Sequence, residues 1–192
     1  MKLILGDNQF FGINHNNFSK GISDKEKFTS DDDIKAFINE SLKVGLDGFM
    51  INSNIIGYRL LSRNKFPVNK EIHYSIPYPH KYAAIVNESG MISLLSYFLK
   101  NSSIWITIKC ASKFLLSRNL KYLLPVATSL EIPKNLPKNS VIYLQNILTD
   151  LIIGIGRIDI LEYYIKEITK MGYRAGLITL NLCNHSCLSG EI

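Results

Sequence analysis

The chain has no apolar run approaching the roughly 18 residues of a membrane span, so crossing a bilayer is not expected. Near its start only Leu3-Ile4-Leu5 is apolar, which is too short for the core of a secretory leader. Cysteine is scarce as well. There are three in 192 residues, an odd number that fits reduced thiols better than a disulfide framework. Together these absences point to the cytoplasm. No run of about five or six like charges occurs either. The 22 basic and 16 acidic residues, net +6, are scattered along the chain. That spread reads first as solubility, next as a preference for an anionic small molecule, and last as nucleic-acid binding. Zinc-finger spacing, a basic helix and an aromatic RNA-binding strand are all missing. The expected partner is a small polar molecule, not nucleic acid or a membrane. No Gly-x-Gly-x-x-Gly follows the first apolar strand, which argues against a dinucleotide turn. No helical His-x3-His or Glu-x2-His pair supports a metal site, and none is expected.

What is present starts with Leu3-Ile4-Leu5-Gly6-Asp7-Asn8-Gln9-Phe10-Phe11-Gly12-Ile13-Asn14-His15. A short buried strand runs into a loop holding an acid, three amides and a histidine. Rigid strands aim the loops that follow them, and α/β proteins keep their chemistry there. The chain is 46% hydrophobic and 20% charged, enough for one α/β domain over residues 1–192 with a real core and an irregular tail at 182–192. Residues 6–29 read as a long polar loop. Ser30, followed by Asp31, Asp32 and Asp33, marks a helix start, and Ile34, Phe37, Ile38 and Leu42 give it an apolar face that Gly45 ends. Gly48-Phe49-Met50-Ile51 is a second strand, and Ile55 to about Asn64 a helix. Glu71 to Ile76 is a third strand, broken by Pro77 and Pro79, and 81–100 is helical. Residues 103–125 are ambiguous: Ile104 to Ile108 alone suggest a strand, whereas the leucines that follow favour a helix. Residues 126–132 alternate like a strand. Val141 to Leu144 is a buried strand, Asp159 to Met171 a helix stopped by Gly172, and Ala175 to Leu180 the last strand. Strands alternating with helices imply right-handed crossovers and a parallel sheet, closed as a barrel or open and doubly wound. A (β/α)8 barrel has about eight strands and about 250 residues. About five strands are legible here, so a truncated barrel is expected.

Three segments carry a family resemblance. Leu5-Gly6-Asp7-Asn8-Gln9-Phe10-Phe11-Gly12 is similar to the opening of the aldo/keto reductase type of (β/α)8 barrel. Gly45-Leu46-Asp47-Gly48-Phe49-Met50-Ile51-Asn52 resembles that family's second strand. Ile160-Leu161-Glu162, continuing to Gly172-Tyr173-Arg174-Ala175-Gly176-Leu177, resembles a later helix and the strand after it. Residues 77–135 lie outside the likeness. The resemblance implies the first five or so units of a barrel, a carbonyl-bearing or sugar-like substrate, and NADP as cofactor. The family's reductases use an Asp ending strand two, a Tyr shortly after, a Lys ending strand three and a His ending strand four. Here Met50 stands at the Asp position, Tyr58 follows Gly57, and the third and fourth strands end in Ile76-Pro77 and Gln145-Asn146. Standard NADPH-dependent carbonyl reduction is therefore not expected, and the cofactor stays open.

If the sheet is parallel, its strand ends share one mouth. Asp7, Asn8, Gln9, Asn52, Asn54, Gln145, Asn146 and Asn181 would gather there. Amides both donate and accept, which suits a polyhydroxyl or carbonyl ligand, although Asn and Asp also follow strands simply because they suit turns. Asp7 with His15 in the same loop is the candidate acid/base pair. His80 and Tyr78 sit in the stiff Pro77 to Pro79 loop, with His80 a further acid/base candidate and Tyr78 a ligand contact. His73 lies within a strand, where packing is the usual role. Gly154, Gly156 and Arg157 precede a helix start and form a candidate phosphate cradle. Cys183-x-His185-x-Cys187 lacks the second ligand pair of a zinc site. The two functional expectations are a small-molecule enzyme of this barrel type and a non-catalytic barrel remnant that binds a partner or self-associates through unpaired sheet edges.

Overall fold

The computed structural model describes residues 2–14, 16–67, 69–77, 87–90, 93, 96 and 104–181. Five strands form one sheet: β1 (Ile4–Leu5), β2 (Gly48–Asn52), β3 (Glu71–Ile76), β4 (Val141–Leu144) and β5 (Arg174–Leu177). Every neighbouring pair is parallel, and the spatial order follows the chain order, β1-β2-β3-β4-β5. The helices are α1 (Phe18–Glu26), α2 (Asp31–Lys43), α3 (Ile55–Arg63), α4 (Ile104–Ser117), α5 (Leu124–Glu131), α6 (Asn146–Gly154) and α7 (Ile158–Lys170). Short 3-10 turns cover Asn8–Phe11 and Leu120–Leu123.

The start of α2 follows from local chemistry. The Ser30 side chain accepts from the Asp33 backbone N–H, and the Asp33 carboxylate accepts from the Ser30 N–H. This reciprocal pair satisfies two orphan donors of the first turn. Asn54 caps α3 without a reciprocal partner, accepting from the Gly57 N–H at 2.7 Å. Residues in register across a sheet point to the same side. Ile51, Tyr74 and Ile142 share one side and are fully buried. Ile34, Ile38 and Leu42 of α2, Leu60 and Leu61 of α3, and Leu161, Tyr164 and Ile168 of α7 join them in a single core. The opposite side carries Met50, His73 and Arg174 in one row and Asn52, Ser75, Tyr143 and Gly176 in the next. Most of these are half-buried or exposed.

Several expectations change. Residues 6–29 are not a continuous loop, because Asn17 accepts from the Lys20 N–H and starts α1. The strand suggested at Ile104 to Ile108 is the first part of α4. The alternating segment 126–132 is mostly α5. Pro125 sits in its first turn, where a missing N–H costs nothing, and Thr128 and Ser129 hydroxyls donate back to carbonyls one turn earlier. Helix α6 was not expected at all. The expected helix over 81–100 and the tail at 182–192 lie largely or wholly outside the described residues.

Candidate functional site

Asp7 ends the chain's path out of β1, and its side chain crosses to β2. It is 5% exposed. One carboxylate oxygen accepts from the Asn52 backbone N–H at 2.7 Å, and both oxygens lie within 3.1 Å of the Asn52 side-chain NH2. Gln145 completes the network from the end of β4, donating through Nε2 to the Asn52 side-chain oxygen at 2.9 Å. Three strand ends thus meet through one acid and two amides. Burial pushes the Asp7 carboxyl above its usual range, and the bonds from Asn52 oppose that push. Ser75, in register with Asn52, adds a buried hydroxyl with no hydrogen-bond partner among the described residues.

A second set lies on the same side of the sheet. The His73 imidazole stacks on Tyr143, ring centroids 5.6 Å apart, and Nδ1 is 3.1 Å from the Tyr143 hydroxyl. Its Nε2 lies 3.3 Å from a Glu71 oxygen, close enough for charge attraction but outside hydrogen-bond geometry. A carboxylate only accepts, so this contact favours the proton on Nε2 and leaves Nδ1 to accept from the phenol. Burial lowers the imidazole pKa, partly offset by Glu71, which favours the neutral ring. Glu71 in turn is held at about 2 by its bonds to Lys2 and Arg174. Gly176 is required beside Tyr143, because a Cβ there would stand 2.5 Å from the phenol ring. Reading one strand at a time misses this set, since only the register brings Glu71, His73, Tyr143 and Gly176 together. Strand parity was the available signal: Tyr74 is fully buried in the core, and His73 takes the open side.

Gln9 donates to the Gly6 carbonyl at 2.7 Å, which ties its amide to its own loop. Asn8 is exposed at the start of the first 3-10 turn, and Asn54 spends its side-chain oxygen on the cap of α3. Asn146 is the first residue of α6, next to Gln145, and Asn181 is exposed with its N–H donating to Thr179 Oγ1. Gly154, Gly156 and Arg157 do share one turn, between α6 and α7. The Arg157 guanidinium is paired with Asp159, at 2.8 Å and 3.1 Å, and with Asn119 at 3.0 Å. His15, Tyr78, His80 and the Cys183 to Cys187 segment lie outside the described residues. Among the described residues no three His, Cys, Asp or Glu side chains cluster as metal ligands would.

The arrangement offers two kinds of chemistry. The Asp7, Asn52 and Gln145 set presents hydrogen-bonding groups around one buried acid. The Glu71, His73 and Tyr143 chain presents a phenol whose proton has an acceptor already aligned. No protein-family model, no curated protein and no solved structure matches the chain.

Proposed function

We propose that the chain forms part of a (β/α)8-type barrel of the aldo/keto reductase kind and acts as a small-molecule enzyme on a polar carbonyl or sugar-like ligand. The sheet order supports the barrel reading. A doubly wound sheet reverses its strand order at a switch point, whereas β1 to β5 run in sequence. The core helices α2, α3 and α7 pack on one side, and the opposite side carries Asn52, His73, Ser75 and Tyr143, as the inner wall of a barrel would. The observation that carries the function is the joining of three strand ends by Asp7, Asn52 and Gln145 on the side that also holds Tyr143. In this reading the amides orient a carbonyl or hydroxyl, and Asp7 or Tyr143 exchanges the proton.

NADP, which the resemblance implies, is not supported by the residues present. Arg157, the candidate phosphate partner, is already neutralised by Asp159, and that acid would repel a phosphate. A second reading, a non-catalytic binding module, is favoured by one observation. The Asn52 amide is spent on both sides, donating to Asp7 and accepting from Gln145, as in a structural lock. Titration of labelled protein with glyceraldehyde, D-xylose and D-glucose separates the two. The enzyme reading expects saturable shifts of the Asn52 and Gln145 side-chain NH2 signals, with the Asn52 shift lost in Gln145→Ala. Silence of both amides with all three compounds favours the binding module.

A further inference from the structure

Helix α4 turns an apolar face to solvent. Trp105 is 81% exposed, Ile108 58%, Leu115 74% and Leu116 88%. At about 100° per residue these four fall on one face. Lys109 and Lys113 border that face, are exposed, and make no ion pair among the described residues. Arg118 follows the helix and is exposed too. The sequence around it is one-sided in charge: from Ser89 to Leu130 there is no Asp or Glu, while Lys100, Lys109, Lys113, Arg118 and Lys121 are all present. An exposed apolar face of this kind, interrupted only by the small Ser112, marks an interaction surface.

We infer that α4 docks on an anionic lipid surface, its apolar stripe entering the acyl boundary and Lys109 and Lys113 meeting the headgroups. A tryptophan and leucines on one face with lysines at the border is the pattern of an interfacial helix. Charge complementarity selects this occupant over a second copy. Two-fold pairing of α4 with itself would cross near its middle, where Lys109 and Lys113 lie, and would set lysines against lysines with no carboxylate on the helix to balance them. The absence of a span, on which the expectation of no membrane partner rests, bears on crossing a bilayer and not on lying against one. No described helix is long and apolar enough to cross.

Trp105 is the sole tryptophan, so its emission reports on this face alone. The full chain is mixed with vesicles of phosphatidylcholine alone and with vesicles containing phosphatidylglycerol. The expected result is a blue shift and co-sedimentation with the anionic vesicles only, weakened by salt. Lys109→Glu with Lys113→Glu should weaken binding on the order of tenfold or more. Leu115→Ser with Leu116→Ser should do likewise. All four positions are exposed, and an unchanged far-UV circular dichroism spectrum confirms that the variants fold. No shift and no sedimentation with anionic vesicles overturns the proposal. So does a shift that rises with protein concentration in the absence of vesicles together with a doubled mass on gel filtration, which assigns the face to a second copy.

Discussion

At the residue scale, two carboxylates on one sheet respond to pH in opposite senses. Asp7 has its folded pKa raised, with burial as the leading cause. A raised carboxyl binds its proton more tightly when folded. Its contribution to stability is therefore fully present below the ordinary value of 3.8 and is lost as pH rises through the raised value. The urea midpoint of the parent relative to Asp7→Asn should fall as pH rises from acid to neutral, and a constant difference would contradict the shift. Glu71 runs the other way. Its folded pKa is depressed from 4.5 to about 2, first by Lys2 and then by Arg174. Its contribution is present above 4.5 and fades as pH falls towards 2. Lys2 and Arg174 are 62% and 54% exposed, so solvent screens the pairs and Glu71→Gln should cost no more than about 1 kcal/mol at neutral pH. The cost should vanish in acid. The same substitution removes the negative charge beside His73 Nε2, so the His73 pKa, followed by proton NMR, should drop further.

At the element scale, the junction of β2 and α3 decides where Asn52 sits. A Cβ on Gly57 would stand 2.1 Å from the Asn52 carbonyl oxygen, so the helix start rests directly on the strand end. Gly57→Ala should destabilise by about 1–3 kcal/mol despite alanine's better helix propensity, and should shift the Asn52 amide signals. Gly154, near the end of α6, has nothing within 4 Å of a built Cβ, so Gly154→Ala should stabilise by about 0.5–1 kcal/mol. Thermal or urea unfolding of the pair checks both signs. Elements whose burial follows their own period were legible from sequence: β3 falls on its alternating segment, β4 on its short apolar run, and α2 starts at its acidic capped turn. Helix α1 was not, because only Gly21 is buried and no apolar stripe exists to read. The 124–131 segment was misread because Val126, Thr128 and Leu130 alternate with small residues, a pattern a short helix against neighbours can also carry. Of the candidate site, Asp7, Asn52 and Gln145 were found by their positions after strands. The His73 and Tyr143 contact was not, because it joins residues 70 positions apart through register alone.

At the scale of the whole molecule, burial is distributed unevenly, and local stability should follow it. Strands β2, β3 and β4 each have a strand on both sides, and Ile51, Tyr74 and Ile142 are fully buried between them and the helices. Among the described residues, strands β1 and β5 each have one free edge, and β1 contributes only two residues. Helix α1 buries one glycine, and α4 turns much of its apolar surface outward. Opening free energies within one domain range from near zero up to the global value, set by buried apolar contact and ladder bonding. Native-state hydrogen exchange should therefore find the slowest amides in β3 and its two neighbours, with Tyr74, Ser75 and Ile142 exchanging only by global unfolding. The amides of α1 should exchange fastest among the helices, and those of β5 faster than those of β4. Protection of β5 equal to that of β4 would mean that its outer edge is paired in solution, as a closed barrel wall or a second copy would pair it. Gel filtration under the same conditions distinguishes these, since only the second copy raises the mass.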